Sequence, residues 1–304
     1  AMLDQHGSPD TIVKGTWASD IRKEVAAAAK AAMKRLQTCS HVSTGQDQVI
    51  AFASNRRVME NGKVKGVRYT HCKDLAIRDA PEGLIDPFLK TISFWHGDQK
   101  LTALHYYATH PTAYDRTGIV TPESVGLART RISKEENVPH LYFTGCAGNV
   151  TAGRYNNGDD ESRARFANEI LRAMKASEAS AKRQPINSIN WHLDKIHLPA
   201  RPDAKDSEAA DAMDYDAMQN LVTGGKGALQ RSRAALILTY RARAEKLPIT
   251  ISALHINDAI RILHLPGESF IEYQYFAYEQ NPAAFTCVAS YGDMGPSYIC
   301  LKQS

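Results

Sequence analysis

The spacing of apolar and polar positions alternates between helical and extended patterns along most of the chain. Asp20 to Leu36 predicts a helix: Thr16 or Ser19 can cap it, and alanine dominates its interior. Gln48 to Ala53 predicts a short apolar strand running into Ser54-Asn55-Arg56. Lys90 to His96 and Lys100 to Thr109 predict a hairpin around Gly97-Asp98. Thr121-Pro122-Glu123 opens a further helix, and His140 to Thr144 forms a buried strand that ends at Gly145. Asp160 to Lys175 predicts a helix with acids first and bases last, in the sense the helix dipole favours. Ile186 to Leu198 alternates as a strand. Ile249 to His255 and Ala259 to Leu265 pair around Asn257-Asp258, followed by a helix at Glu268 to Glu279 and a strand at Ala284 to Tyr291.

One stretch departs from this rhythm. Pro199 to Leu247 is rich in Ala, Lys, Arg and Asp and reads as two solvent-facing helices divided near Gly224-Gly225, an insertion (199–247) in a single domain spanning 1–304. Strands alternating with helices imply an α/β fold, a mixed β-sheet core sandwiched between helical layers.

Composition narrows the function classes. With 304 residues, 43% hydrophobic and 23% charged, the chain has the make-up of a globular protein. The net charge of +4 comes from 37 basic against 33 acidic residues and is concentrated nowhere, which speaks against a nucleic-acid partner. No window reaches the roughly 18 apolar residues of a membrane helix, and the polar opening residues lack a signal-peptide pattern. Five cysteines without CxxC spacing argue against a thiolate zinc site.

Four junctions carry chemistry. In Asp4-Gln5-His6-Gly7-Ser8-Pro9, an extended backbone puts Asp4 and His6 on one face, within reach of one ion. In Thr109-His110-Pro111, His110 ends a strand and the proline holds it in an extended or turn conformation. Gly145-Cys146-Ala147-Gly148-Asn149-Val150-Thr151 is a small-residue loop that carries a hydroxyl at Thr151; it lacks the Gly-Lys-Ser/Thr of a phosphate loop. Pro266-Gly267-Glu268 presents a carboxylate at a helix start. Each is ordinary alone. Together they supply nitrogen and oxygen donors suited to zinc.

In their order, His6-Gly7-Ser8-Pro9, Asn55-Arg56, Thr109-His110-Pro111, Gly145 to Thr151, Pro266-Gly267-Glu268 and Ser297-Tyr298-Ile299 resemble the motifs of the neutral/alkaline, non-lysosomal ceramidases, zinc amidases of α/β fold. The resemblance covers nearly the whole chain outside 199–247. It implies Zn2+ bound by His110, Glu268 and Tyr298, with Asp4 standing where the family's first zinc histidine stands and His6 matching the second histidine of that motif. It implies that Arg56 contacts the substrate carbonyl region. Where the family has Gly-Asp-Val-Ser-Pro with a catalytic serine, this chain has Gly148-Asn149-Val150-Thr151-Ala152. The chain begins almost at the first motif and stops soon after the tyrosine, as a compact or trimmed relative would, without the family's immunoglobulin-like C-terminal domain.

The expected activity is hydrolysis of an amide, N-acyl and ceramide-like, or of an ester. Arg56, Thr151 and His6 would be the catalytic groups and a small-molecule or lipid-like acyl compound the substrate. A metallo-esterase for small esters and a catalytically impaired ligand-binding relative are the alternatives. The resemblance implies an extracytoplasmic or secreted location. Membrane association and oligomeric state stay open at this point.

Overall fold

The computed structural model describes residues 16–115, 117–198, 228–244, 246–293 and 297–301. The chain divides into two compact units, 1–38 with 195–250, and 39–194 with 251–304. Among its described residues the first unit holds helix α1 (Trp17–Met33) and helix α4 (Ala228–Ala244). Helix α1 starts three residues ahead of the expected Asp20. The second predicted helix of the 199–247 stretch corresponds to α4, and the first lies outside the described residues. The stretch reads as solvent-facing helices, yet α4 buries Ala234, Ala235 and Leu238.

The second unit is built on two mixed sheets. The first contains β1 (His41–Gln48), β2 (Phe88–His96), β3 (Gln99–Tyr107), β4 (His140–Thr144) and β5 (Lys182–Pro185), in the order β4-β3-β2-β1-β5. The expected hairpin is β2–β3, antiparallel, with Lys90 opposite Tyr106 and a bulge at Phe94/Trp95. Its turn uses Gly97 at φ 56°, a conformation open to glycine without strain. Strands β3 and β4 are parallel, joined through helix α2 (Glu123–Glu136). The second sheet is β6 (Ile189–Ile196), β7 (Ile249–Ile256), β8 (Ile260–His264) and β9 (Phe285–Ala289), in that order. Here β7 and β8 are antiparallel, and β8 runs parallel to β9.

Alternating side chains give the first sheet two apolar faces. Leu89 and Tyr107 join Val125, Ile132, Phe166, Ile170 and Met174, which come from α2 and α3 (Asp160–Ala179). Their neighbours Ile92 and Tyr106 point the other way, with Val42, into Ile256, Ile260, Ile262 and Cys287 of the second sheet. The α/β architecture with mixed sheets is thus as expected, with helices on one side of the first sheet and the second sheet on the other. Each fully buried side chain of this size contributes about 1.5–3 kcal/mol.

Two local expectations are corrected. The strand expected at Gln48 to Ala53 lies earlier, at His41–Gln48. Ala51 has φ 51°, and the Ile50 amide donates to Glu169, so the apolar run after Gln48 is a bend that feeds Phe52 into the core. The helix expected from Glu268 begins at Ile271 instead, as α5 (Ile271–Glu279). Glu268–Ser269 is extended and pairs in parallel with Tyr298–Ile299.

Candidate functional site

The parallel strand pairs β3/β4 and β8/β9 send their carboxyl ends to one place, and every described candidate residue from these strands lies just beyond such an end. The amide of Ser290, after β9, donates to the Thr144 carbonyl at the end of β4 at 2.9 Å; the Gly145 amide donates to the Tyr107 carbonyl of β3 at 3.0 Å. Loops beyond the carboxyl ends of parallel strands are where α/β folds place their ligands.

His110 is fixed first. Its amide and its Nδ1 both contact the Val150 carbonyl, each at 3.0 Å. A carbonyl only accepts, so Nδ1 carries the proton and Nε2 faces the site. Nε2 lies 2.9 Å from Glu268 Oε2 and 3.4 Å from the Tyr291 hydroxyl. His110 and Thr151 also form an isolated parallel bridge, and Thr151 pairs in antiparallel register with Ser54. The small-residue loop is therefore a wall of backbone that holds the imidazole.

Glu268 arrives through Gly267, which takes φ 55°, and its amide is bonded to the Ser297 carbonyl at 2.7 Å. Gly148 sits so close beneath that any Cβ there would strike the Glu268 carbonyl. Burial alone would raise the Glu268 carboxyl, but His110, Tyr298 and Arg56 outweigh it and hold it below its ordinary value. The Tyr298 phenol is pushed up by burial and by Glu268, in spite of Arg56.

Arg56 closes the group. Its Nη1 donates to the Tyr298 hydroxyl at 3.0 Å and to the Gly148 carbonyl at 3.3 Å. Its guanidinium lies 5.2 Å from the Tyr69 ring centroid and 5.5 Å from that of Tyr298, both within cation–π range. His110, Glu268, Tyr298 and Arg56 are thus brought together. Thr151 stands on the same wall, 2% exposed. Asp4 and His6 lie outside the described residues.

Sequence reasoning missed Tyr291. Its ring meets His110 edge-on at 6.2 Å between centroids, and burial, with Glu268 beside it, pushes its phenol well up. The alternation makes it the last residue of a strand; only its place two residues beyond β9, with its amide bonded to the Gly267 carbonyl, marks it.

The donor set fits a divalent ion. With the proton on Nδ1, His110 Nε2 faces Glu268 Oε2 at 2.9 Å, and the two are joined either by a second proton, which makes the ion pair that holds Glu268 low, or by a shared cation. Imidazole and carboxylate donors converging at a strand end suit a first-row divalent ion.

No protein-family model matches the chain, and no curated protein does. Two solved structures share its fold. The neutral ceramidase from Pseudomonas aeruginosa superposes with a TM-score of 0.55 at 15% identity, over 91% of this chain and 49% of that one. A ceramidase complexed with C2 superposes with a TM-score of 0.52 at 14% identity, over 86% of this chain and 48% of that one. The chain thus spans about half the length of either. It has a ceramidase-like fold. No described helix is long and apolar enough to cross a membrane.

Proposed function

We propose that the chain is a zinc-dependent hydrolase that cleaves an amide or ester bond of an acyl compound, and that His110, Glu268 and Tyr298 hold the metal. The supporting observation is the convergence of these three donors with Arg56 at the carboxyl ends of two parallel strand pairs. The motif order and the ceramidase-like fold point the same way. The resemblance gives Asp4 and His6 as further candidate donors.

Zinc would supply a Lewis acid and a more acidic water. The protein's own groups do the rest. The Val150 carbonyl holds the His110 tautomer, so that Nε2 presents its lone pair. Arg56 is held between two rings with Nη1 at the site, and would stabilise negative charge developing on the scissile carbonyl oxygen. The Tyr298 hydroxyl accepts from Arg56 at 3.0 Å and so ties the guanidinium to the donor set. Thr151 is too buried to meet solvent freely, which favours it as a hydrogen-bond partner over a nucleophile.

An N-acyl amide is the substrate class that the resemblance favours, and an extracytoplasmic location goes with it. The ligand-binding reading draws on Asn149: both ends of its amide are committed to structure, to the Ile271 amide and to Glu272. Elemental analysis beside His110→Ala and Glu268→Gln tests the metal, and turnover of an aryl ester against an N-acyl amide of equal chain length tests the chemistry. We expect about one zinc per chain, lost in both variants together with turnover. Full turnover after zinc is stripped would overturn the metal reading. A zinc-loaded chain inert toward both substrates would leave a binding protein.

A further inference from the structure

A second cluster of donors lies at the opposite, amino-terminal ends of β3 and β4. Glu136 ends α2, His140 opens β4 and Glu178 lies near the end of α3. They place three ligand atoms within 4.8 Å of one another. None belongs to the site around His110.

A buried relay fixes the proton on His140. The Ser177 hydroxyl donates to the Met174 carbonyl at 2.8 Å, which leaves its oxygen to accept from Thr91 Oγ1 at 2.6 Å. With its proton spent there, Thr91 accepts from His105 Nδ1 at 2.8 Å. His105 Nε2 then accepts from His140 Nδ1, also at 2.8 Å. His140 Nε2 therefore presents a lone pair, 3.2 Å from Glu136 Oε2. Two acceptors again face each other, and 3.2 Å is close to the separation of about 3.3 Å between two ligands on one tetrahedral ion with bonds of about 2.0 Å.

Glu178 supplies the second observation. Its side chain is only 10% exposed. Its Oε1 accepts from Ser93 at 3.1 Å and from Lys100 at 2.9 Å, while its buried Oε2 has no partner. A buried carboxylate oxygen left unpaired is costly; a proton shared with Glu136 removes part of that cost, and a cation between the two carboxylates and His140 would remove it in the proton's place.

We propose that Glu136, His140 and Glu178 form a binding site for a first-row divalent cation, with Lys100 as its built-in competitor. The Lys100 ammonium contacts Glu136 at 2.7 Å and Glu178 at 2.9 Å, so it occupies the charge position that an ion would take. It lies 5.5 Å from the Trp95 ring centroid, which offers the displaced ammonium a cation–π seat. An ion here would tie the ends of α2 and α3 to the start of β4. Its role is structural, and it stabilises the fold by mass action.

Co2+ is the probe, because its visible spectrum reports its ligands. The His110→Ala/Glu268→Gln chain removes the first site, so failure of the proposed function leaves this measurement unaffected. We expect one Co2+ per chain in that background, a rise in melting temperature on adding Co2+, and loss of both in His140→Gln and Glu178→Gln. Lys100→Met should bind at least about tenfold more tightly, since the competitor is gone. Should the glutamine variants fail to fold by circular dichroism, Lys100→Met decides alone. Absence of Co2+ binding in the His110→Ala/Glu268→Gln chain, or no gain of affinity in Lys100→Met, overturns the proposal.

Discussion

At the scale of single residues, Asn149 shows why a motif departs from a family pattern. The ceramidase pattern that the chain resembles has aspartate at this place, and the sequence departs from it with Asn149. In the structure the Asn149 carbonyl oxygen accepts from the Ile271 amide at 2.8 Å, and its Nδ2 donates to Glu272 at 2.9 Å. Aspartate could keep the first bond and not the second, and would set a carboxylate against Glu272. Arg57, paired with Glu272 at 2.9 Å, would offset part of that repulsion. Asn149→Asp should therefore lose about 1–3 kcal/mol of stability, read as a lower urea midpoint at unchanged slope. The sequence showed the change of charge and not its partner, because Glu272 lies 123 positions away. Tyr291 was invisible for a related reason. A tyrosine after a strand has no spacing signal until the neighbouring strand is known.

At the scale of elements, helix α5 holds the small-residue loop in place. Gln274 is buried; its Oε1 accepts from the Cys146 amide at 2.9 Å, and its Nε2 donates to Asp86 and to the Tyr278 hydroxyl. Gln274→Leu leaves the Cys146 amide unpaired and takes a donor from Asp86. It should cost about 3 kcal/mol by chemical denaturation and lower turnover by loosening the loop that holds His110. Elements with strong periodicity were legible: β4 has the expected bounds, and the β2–β3 hairpin turns where Gly97-Asp98 said it would. Strand β1 was not, because His-Val-Ser-Thr-Gly-Gln-Asp-Gln has too few apolar positions to show a period. Its small residues answer to packing: a Cβ at Gly45 would strike the Ser177 carbonyl of α3. The sequence pattern puts Glu268 on a helix because an acid after Pro-Gly suits an N-terminus. Its backbone is instead drawn into pairing with Tyr298–Ile299, a contact 30 positions distant that no local pattern encodes.

At the scale of the whole molecule, histidines held within the packed interior make stability depend on pH. His264, on β8, stacks over Phe143 at 6.4 Å between centroids, and burial lowers its pKa from 6.5. A histidine depressed in the folded state costs nothing above its unfolded pKa. Below about pH 6.5 the unfolded chain takes up the proton first, so stability falls as pH falls toward the folded value. His105 shifts the same way. Thermal melts between about pH 7 and about pH 5 should show this slope, and His264→Phe should make it shallower without removing it. The candidate site also belongs to this scale. The bond between Arg56 and Tyr298 joins positions 242 apart, and the contact between His110 and Glu268 joins positions 158 apart. His110 stands beyond a strand end of the first sheet and Glu268 beyond a strand end of the second. Under the proposed function, turnover therefore needs both sheets in place. A chain that keeps its secondary structure while its two sheets drift apart would look folded to circular dichroism and be silent in the assay, so turnover would report the docking of the sheets before any spectroscopic probe of helix or strand.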